Sequence, residues 1–434
     1  MKPSRYRWFV FAVFFLFMLS HQSDKLLISP LTTPIMNEFG VNEAQMGLVF
    51  SGAIVVGAVL YPIWGYLYDR YMRARLLALA AFIWGATTWL SALVRTFPAF
   101  TLTRASTGID DSSYPGLYNI IADYFEPHLR GKVNGLLQIS MPLGYMIGMI
   151  LAMALEGAVG WRGVFYITGS LGIVLAAVIF VGVREPRRGS SEPELQGLEQ
   201  GYSYRFDWRT ARDLLKKPSL LFLFANGFFG VFPWQVVTFW FFRYLETERG
   251  YTADERLMTM VIAVLVLASG YPIGGALGDW LFKRTLRGRM IVSSVGVVLG
   301  AVLMAAALSV SPGEKLLFGL MICLTTLFMP FAAPNVTSTL YDITLPEVRS
   351  TANALQNFVE QAGSAAAPFV AGVIAVGSSL HDAILYLNLT AWSFCFVCLV
   401  LAAYFVPRDV LELRRQLRAR ADLERARLAG AQGA

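Results

Sequence analysis

Runs of about 20 mostly apolar residues recur along this chain, and they restrict its possible folds more than any other feature. Twelve segments have the length and apolarity that a membrane-spanning helix needs. A backbone embedded in lipid must satisfy its own hydrogen bonds, so segments of this length predict helices. We therefore predict an all-α membrane protein with twelve transmembrane helices, here called spans 1 to 12, at 7–34, 45–68, 76–95, 98–124, 133–155, 161–183, 218–244, 257–281, 290–310, 315–343, 351–376 and 383–406.

The composition agrees with a chain that lies mostly in lipid. Of its 434 residues, 56% are hydrophobic and 15% are charged, whereas about a quarter of an average soluble domain is charged. A disordered scaffold or a set of soluble modules is therefore excluded. Three cysteines are too few for a disulfide framework. Cys395 and Cys398 lie inside an apolar run and are predicted to be packing residues.

The distribution of Lys and Arg predicts the orientation of the chain. With both termini in the cytoplasm, 28 of the 36 Lys and Arg fall on the inner side and 6 on the outer side, as the positive-inside rule requires. We therefore expect a multi-pass protein of the plasma (inner) membrane with cytoplasmic N- and C-termini. The basic residues form no single patch, so the net charge of +7 does not indicate nucleic-acid binding.

Four segments follow from this layout. They are an N-terminal six-helix bundle at 1–183, a cytoplasmic linker with a surface helix at 184–217, a C-terminal six-helix bundle at 218–407 and a cytoplasmic basic tail at 408–434. The linker is rich in Gly, Ser, Glu and Pro before its amphipathic end. The tail is interpreted as a solvated or membrane-surface helix, with a partner-binding helix as the alternative.

The two halves of the chain share short sequences. The nine residues from Tyr61 to Asp69, which end span 2, match Tyr271 to Asp279, which end span 8, at six positions with an offset of 210. A second set around spans 4 and 10 recurs with an offset of 219. Two matches at similar offsets on equivalent spans favour a duplicated six-helix unit. Repeats of this kind place a binding site between the halves, near the membrane midplane.

The segment from Gly65 to Arg73, Gly-Tyr-Leu-Tyr-Asp-Arg-Tyr-Met-Arg, resembles the cytoplasmic motif Gly-x-x-x-Asp-Arg-x-Gly-Arg of the major facilitator superfamily. Met72 stands where that motif has Gly, and a degenerate second copy begins at Gly275. The resemblance implies two pseudo-symmetric six-helix bundles that transport by alternating access, and a gating role for the motif; topology determination alone is the alternative. The gating candidates are Gly65, Asp69, Arg70, Arg73, Arg130, Asp279 and Arg349.

Ionisable residues inside spans are costly and are functional candidates by default. They are Asp24 and Lys25 in span 1, Arg104, Asp110 and Asp111 in span 4, and Glu360 in span 11. In one continuous helix, Arg104 and Asp111 share a face and Asp110 points elsewhere. Asp24 and Arg104 are predicted at a similar depth, so an ion pair between them, with a purely structural role, is the alternative to a functional one. That pair leaves Lys25, Asp111 and Glu360 without an obvious partner.

Around span 4 the chain resembles the spinster-type lysolipid and sphingolipid transporters. Arg104, the segment Gly108 to Tyr114 and the segment Ile121 to Phe125 are similar to that branch's Arg, Gly-Val-Gly-Glu-Ala-Ser-Tyr and Ile-Ala-Asp-x-Phe. Asp111 takes the place of the Glu in that motif, and Asp24-Lys25 resembles its Asp-Arg in span 1. Span 11 lacks the His and the Gly-Asp that are usual there.

These observations predict a secondary active transporter of a small organic or amphipathic solute, anionic or a lysolipid, coupled to protons. Burial favours the neutral form of a carboxyl group and a nearby Arg favours the ionised form, so Asp111, then Asp24 and Glu360, are the candidates for proton coupling. Lys25 and Arg104 are candidates for holding an anionic head group. Further candidates for lining the site are Tyr114, Tyr118, Asn119, Gln138, Gln235, Asn335, Asn357 and Gln361.

A membrane sensor that binds a similar ligand without moving it is the alternative function. We expect no enzyme, cofactor or metal, because the three histidines are scattered and no catalytic motif is present. The expected partners are the solute, protons and the lipid bilayer, with no nucleic acid, and we expect a monomer.

Overall fold

The structure, a computed structural model, describes residues 3–111, 113–125, 127–186, 216–344 and 349–432. These residues are helical almost throughout, with no β-strand among them. The helices are Pro3–Leu27, Thr32–Phe39, Glu43–Arg70, Arg73–Leu93, Phe97–Ser106, Gly108–Asp111, Tyr114–Tyr124, Pro127–Gly182, Pro218–Thr247, Ala253–Phe282, Gly288–Ser309, Lys315–Phe328, Ala332–Asp342, Arg349–Gly377 and Leu380–Gln432, with a 3-10 turn at Met329–Phe331. The predicted all-α membrane fold is confirmed.

Within the described residues, ten helical segments are long and apolar enough to cross a membrane. The prediction of twelve spans differs from this number for two reasons. Spans 5 and 6 lie in one helical run, Pro127–Gly182, which bends at Gly160, where φ is 67° and ψ is 168°. A backbone with positive φ favours glycine. Span 4 is divided among three short helices, none of which is long enough to be counted by itself.

Two predicted spans need correction. Span 1 was expected to run over 7–34, but its helix ends at Leu27, and a separate short helix, Thr32–Phe39, follows a turn. Gly40, with φ 64°, ends that short helix in the left-handed conformation. Span 4 was expected to be continuous and is not. The predicted linker falls largely on 187–215, outside the described residues, and the predicted tail helix is continuous with span 12.

The chain divides into two compact units. Unit 1 consists of Met1–Tyr204, Gln235–Val264 and Ser364–Ile384, and unit 2 consists of Arg205–Trp234, Leu265–Gly363 and Leu385–Ala434. Unit 1 therefore contains the first half together with parts of spans 7, 8 and 11. These units do not follow the predicted bundle boundaries, which remain predictions.

Unit 1 has an apolar core built from spans 1 to 6. Phe14 and Phe17 of span 1 and Trp84 of span 3 are fully buried there. Small residues bring the helices together, as lipid-embedded helices commonly require. A Cβ on Gly85 of span 3 would lie 2.6 Å from the backbone nitrogen of Ile173 in span 6.

We call the end of unit 1 formed by the helix Thr32–Phe39 and the start of the helix Glu43–Arg70 the distal side. Here unit 1 is tied together by ion pairs. Arg243 of span 7 donates to the Oε1 of Glu43 at the start of span 2 at 2.8 Å and to the Oγ1 of Thr33 at 3.2 Å. The rings of Phe50 and Phe239 stack below them with centroids 4.5 Å apart. Segments of both sequence halves therefore close the distal side of unit 1.

Glu38 joins the short distal helix to span 6. Its carboxylate accepts hydrogen bonds from Arg162 at 2.6 Å and from the Nε1 of Trp161 at 2.7 Å. Partial burial disfavours the charged form, but these hydrogen bonds and the Arg162 charge outweigh that effect and hold the pKa of Glu38 below its ordinary value.

Candidate functional site

The break in span 4 is the local feature that builds the site. The helix stops at Ser106, resumes for one turn at Gly108–Asp111 and restarts at Tyr114. Two side chains from span 2 donate hydrogen bonds to backbone carbonyls near the break. The Nε1 of Trp64 donates to the carbonyl of Ile109 at 2.5 Å, and the Tyr68 hydroxyl donates to the carbonyl of Ser113 at 2.8 Å. An irregular backbone at membrane depth is tolerated where such partners exist.

Glycines allow the helices around the break to approach closely. A Cβ on Gly108 would lie 2.0 Å from the carbonyl oxygen of Ala53 in span 2. On the other side of span 1, a Cβ on Gly148 of span 5 would lie 2.1 Å from the carbonyl oxygen of Ser23. Both positions exclude any larger residue without movement of the backbone. Span 1 and the broken span 4 are thereby held at the depth where their charges meet.

The predicted approach of Asp24 to Arg104 is confirmed. An Oδ2 of Asp24 lies 3.5 Å from a terminal nitrogen of Arg104, and both side chains are buried. Thr88 of span 3 and Thr168 of span 6 donate to the two carboxylate oxygens at 3.1 and 2.9 Å. The Arg104 guanidinium also lies 5.1 Å from the ring centroid of Phe165. Asp24 is thus held by three separate spans.

Lys25 and Asp111 form a second ion pair, with the Nζ of Lys25 2.7 Å from an Oδ2 of Asp111. The expectation that these two residues lack partners was wrong. Lys25 and Asp111 lie in different spans, and the sequence does not show which side chains of spans 1 and 4 face each other. The side chain of Lys25 is 35% exposed and that of Asp111 is 16% exposed, so this pair is far more accessible than Asp24 and Arg104.

A third pair was missed by the sequence reasoning. The Nε2 of His21 lies 2.5 Å from an Oδ2 of Asp110, and both side chains are almost completely buried. The Nδ1 of His21 contacts the hydroxyl of Tyr114. Asp110 therefore points away from Arg104, as predicted, and contacts a titratable partner, His21. The signal that could have identified His21 is the polar run Ser20 to Lys25 inside an otherwise apolar span.

A cavity of about 40 Å³ joins two of these ion pairs, and a volume of this size holds one or two water molecules. Its polar lining comes from spans 1 and 4, and its apolar lining comes mainly from spans 2, 3 and 7. The lining residues are His21, Asp24, Lys25, Ile28, Val49, Phe50, Ala53, Ile54, Trp84, Arg104, Thr107, Asp111 and Phe239.

The other predicted lining residues differ in their surroundings. In unit 1, Tyr118 and Gln235 are half-buried and Gln138 is exposed. In unit 2, Asn357 and Gln361, four residues apart in span 11, are exposed. Such amides on one face of a membrane helix are typical of a face toward water rather than lipid.

Two further residues of unit 2 have partners within the unit. Asn335 is buried and donates to the carbonyls of Gly274 and Phe331 at 3.0 and 2.8 Å, as a residue that joins spans 8 and 10. Glu360 is half-buried and accepts from the Nε2 of Gln356 at 2.6 Å.

The gating candidates whose side chains the structure describes make contacts within their own unit. Arg73 is buried and lies 2.7 Å from both Asp123 and Glu185 within unit 1. In unit 2, Asp279 lies 2.7 Å from Arg289, which also contacts Asp342. Arg70 contacts Tyr66. Five predicted residues lie outside the part of the chain whose side chains are described: Gly65, Asp69, Asn119, Arg130 and Arg349.

Comparison with known proteins now gives this architecture its family. The model of the Major Facilitator Superfamily matches residues 11–368. The chain belongs to the major facilitator superfamily. As a member of this superfamily it is a multi-pass membrane transporter, and its relatives are transporters rather than enzymes.

Curated relatives share about a quarter of their residues with this transporter. Protein spinster of Drosophila melanogaster is 27% identical over 388 residues, which are 87% of this chain but 63% of that protein, so the chain spans less than two thirds of its length. The sphingosine-1-phosphate transporter SPNS2 of Danio rerio is 26% identical, over 86% of this chain and 76% of that protein. An MFS-type efflux pump of Mycolicibacterium smegmatis is 27% identical, over 90% and 91%.

Solved structures show the same fold. A bacterial homologue of the human lysosomal transporter Spinster, in an inward-facing and unoccupied conformation, superposes with a TM-score of 0.79 at 22% identity, over 95% of this chain and 98% of that one. The nucleoside transporter NupG gives a TM-score of 0.66 at 16% identity, over 92% of this chain and 99% of that one. The predicted resemblance to the spinster-type branch is confirmed.

Proposed function

We propose that this transporter moves an amphipathic anion across the membrane together with protons, by alternating access. The observation that carries the proposal is the ion pair of Lys25 and Asp111. It lines a cavity that is also lined by a second, buried pair, Asp24 and Arg104. One pair is accessible and exchangeable, and the other is fixed.

The anionic class of the substrate follows from Lys25. Its side chain is about one-third exposed, while its partner carboxylate is held on span 4. An anionic head group that reaches the cavity competes with Asp111 for this ammonium. Arg104 adds positive charge at the same cavity. The relatives named as sphingosine-1-phosphate transporters act on a phosphate-bearing lipid, which supports a substrate of this kind.

The amphipathic class follows from the apolar lining. Ile28, Ile54 and the stacked rings of Phe50 and Phe239 face the same cavity as the charges. The cavity of about 40 Å³ admits only water in this structure, so the substrate enters after the surrounding helices move apart. An alkyl chain beside the head group then removes apolar surface from water at about 25 cal/mol per Å². A fully polar solute such as a sugar gains nothing from these residues. We therefore propose a lysolipid or a similar single-chain anion.

Proton coupling is proposed from the charges around this cavity. Among the described residues there, three carboxylates, Asp24, Asp110 and Asp111, face two permanent cations, Lys25 and Arg104. Burial of a carboxylate without a counter-charge has a desolvation free energy of the order of several kcal/mol. The cluster therefore binds one proton in its resting state, and a change of partners during transport changes how tightly it is held. Because Lys25, the partner of Asp111, is accessible, we rank Asp111 ahead of Asp24 and Glu360 as the carboxylate that couples proton binding to transport.

The direction of access is proposed from the distal closure. Arg243 and Glu43 tie segments of both sequence halves together within unit 1, so opening to the distal side requires this ion pair to break. We propose that the distal side is the outside of the plasma (inner) membrane and that both termini are cytoplasmic. The motif residues from Gly65 to Arg73 and their counterparts are proposed to close the opposite side, and the protein is proposed to act as a monomer.

Purified protein in vesicles tests the proposal. The probe is radiolabelled lysophosphatidylglycerol, whose phosphodiester keeps one negative charge across the usable pH range. Transport is followed by extraction of the outer leaflet with albumin, with and without a pH gradient. We expect the gradient to increase the rate, and Lys25→Gln to lower it about tenfold or more. Lys216→Gln is the matched control, because Lys216 is exposed and does not line the cavity.

Two results contradict the proposal. Binding of lysophosphatidylglycerol by folded protein, without movement under any gradient, would favour the membrane sensor. Transport that is equally fast with and without a pH gradient would show that the movement is not coupled to protons.

A further inference from the structure

The buried group of His21, Asp110 and Tyr114 has no role in the exchange between Lys25 and a substrate. His21 is packed edge-on against Trp84, with ring centroids 5.5 Å apart at 89°. The Asp110 side chain is 0% exposed, and its Oδ1 has no hydrogen-bond partner in the described part of the chain. A carboxylate in this position depends on His21 for its charge compensation.

The hydrogen bonds around His21 define how it holds a proton. The Nε2 of Gln22 donates to the Tyr114 hydroxyl at 3.0 Å, so that hydroxyl is free to donate to the Nδ1 of a neutral ring. The neutral ring then carries its hydrogen on Nε2, which faces Asp110. A protonated ring donates from both nitrogens, and the Tyr114 oxygen becomes an acceptor. Both states fit the same geometry, so a proton can bind and leave without rearrangement of the helices.

The charged groups that face His21 come from two helices. Span 4 contributes Asp110 and, with an Oδ1 at 4.0 Å from the Nε2, Asp111. Span 1 contributes Lys25, which is bonded to Asp111. Tyr114 supplies the titratable hydroxyl, and span 3 supplies the uncharged ring of Trp84. Asp111 is therefore shared between Lys25 and His21.

We propose that His21 carries the transported proton and that Asp111 couples it to the bound anion. When an anionic head group pairs with Lys25, Asp111 loses that cation as its partner. The negative charge of Asp111 then acts mainly on His21 and stabilises the protonated imidazole. Departure of the anion returns Lys25 to Asp111 and weakens the hold on the proton. Anion and proton therefore bind with positive coupling and move in the same direction. This inference rests on the proposed function.

The inference depends on a feature that this chain does not share with the motif it resembles. Asp110 stands where the spinster-type pattern Gly-Val-Gly-Glu has its second Gly. A glycine there has no carboxylate to hold an imidazole in place. The pair of His21 and Asp110 is thus an addition to the ion pairs at Asp111 and Asp24.

The first experiment needs no substrate. His128→Gln and His381→Gln leave His21 as the single histidine of the full chain, and nitrogen-15 labelled histidine then reports its protonation by NMR in nanodiscs across about pH 5 to 8, where imidazoles titrate. Lys25→Gln imitates the loss of Lys25 to an anion, so it is expected to raise the proton affinity of His21 about tenfold or more. Asp111→Asn is expected to lower it, and Lys216→Gln, at an exposed lysine outside the cavity lining, to leave it unchanged.

The second experiment measures the affinity for lysophosphatidylglycerol against pH. The protonated state binds the anion more tightly, so affinity is highest below the titration of His21 and falls as pH rises through it. One proton per anion gives a slope of about one in log Kd against pH. His21→Gln is expected to keep the binding and lose the slope, and Tyr114→Phe, which retains the ring, is expected to move the pH of the transition but keep the slope.

The results separate this inference from the proposed function. A proton affinity of His21 that does not change in Lys25→Gln and Asp111→Asn overturns the role of His21, whatever is found for transport. A slope that persists in His21→Gln also overturns it and assigns the proton to a carboxylate. Absence of lysophosphatidylglycerol binding, with the expected shifts in the NMR titration, removes the substrate class and leaves the coupling through Asp111 supported.

Discussion

Replacement of Asp24 by Asn tests how the fixed ion pair contributes to the fold. The variant keeps the size of the side chain but leaves Arg104, which is nearly buried, without its counter-charge. It also disturbs the two threonine hydrogen bonds, because an amide offers one acceptor oxygen where the carboxylate offers two. Removal of one partner from a buried pair costs about 3–5 kcal/mol, and the loss of one neutral partner for a threonine adds about 1 kcal/mol.

A double-mutant cycle separates the charge effect from packing. Arg104→Gln removes the second charge, so Asp24→Asn combined with Arg104→Gln is expected to recover a large part of the stability lost in either single variant. The assay is thermal unfolding of the purified protein in detergent, read from intrinsic fluorescence, with equilibrium unfolding for the free energies. A single Asp24→Asn variant as stable as the unchanged protein, or single effects that simply add, would refute the reasoning.

Three further predictions follow from other contacts. Gly108→Ala places a Cβ 2.0 Å from a backbone oxygen and is expected to destabilise the protein by about 3 kcal/mol or more, whereas Gly52→Ala, with its closest contact at 3.2 Å, is expected to cost less than half as much by thermal unfolding. Glu38→Gln is expected to lower stability by about 1 kcal/mol or less, because this pair is partly exposed. Since the pKa of Glu38 is lowered in the folded protein, its contribution is present above the ordinary glutamate pKa and is lost as pH falls through the lowered value, so the difference between variant and parent should disappear in acid thermal scans. Glu43→Gln removes the partner of Arg243 and is expected to increase thiol labelling of a cysteine introduced at the buried position of Val49; unchanged labelling would contradict its role in closure.

The length and apolarity of the spans were sufficient to predict the all-α membrane fold, because these properties are local. The contact of Asp24 with Arg104 was also predictable, since each residue's depth follows from its distance to the end of its span. The break in span 4 was not. Its partners, Trp64 and Tyr68, lie in span 2 and are distant in sequence, and a single membrane helix accommodates small and polar residues without breaking.

The sequence analysis missed the pairing of side chains between spans 1 and 4. The structure pairs Asp111 with Lys25 and Asp110 with His21. The polar run in span 1 contained the necessary residues, but the sequence does not show which of them face span 4, because that depends on how the two helices pack. Side-chain pairing across helices is therefore where sequence reasoning lost its accuracy.

The central claim, that anion and proton move together, is tested most directly by proton movement driven by the anion alone. Vesicles containing the transporter and a pH-sensitive dye, with equal pH on both sides, receive lysophosphatidylglycerol on the outside. The account predicts acidification of the interior that requires Lys25 and is abolished in His21→Gln. Inward movement of the lysolipid with no change of internal pH, or with alkalinisation, would contradict it.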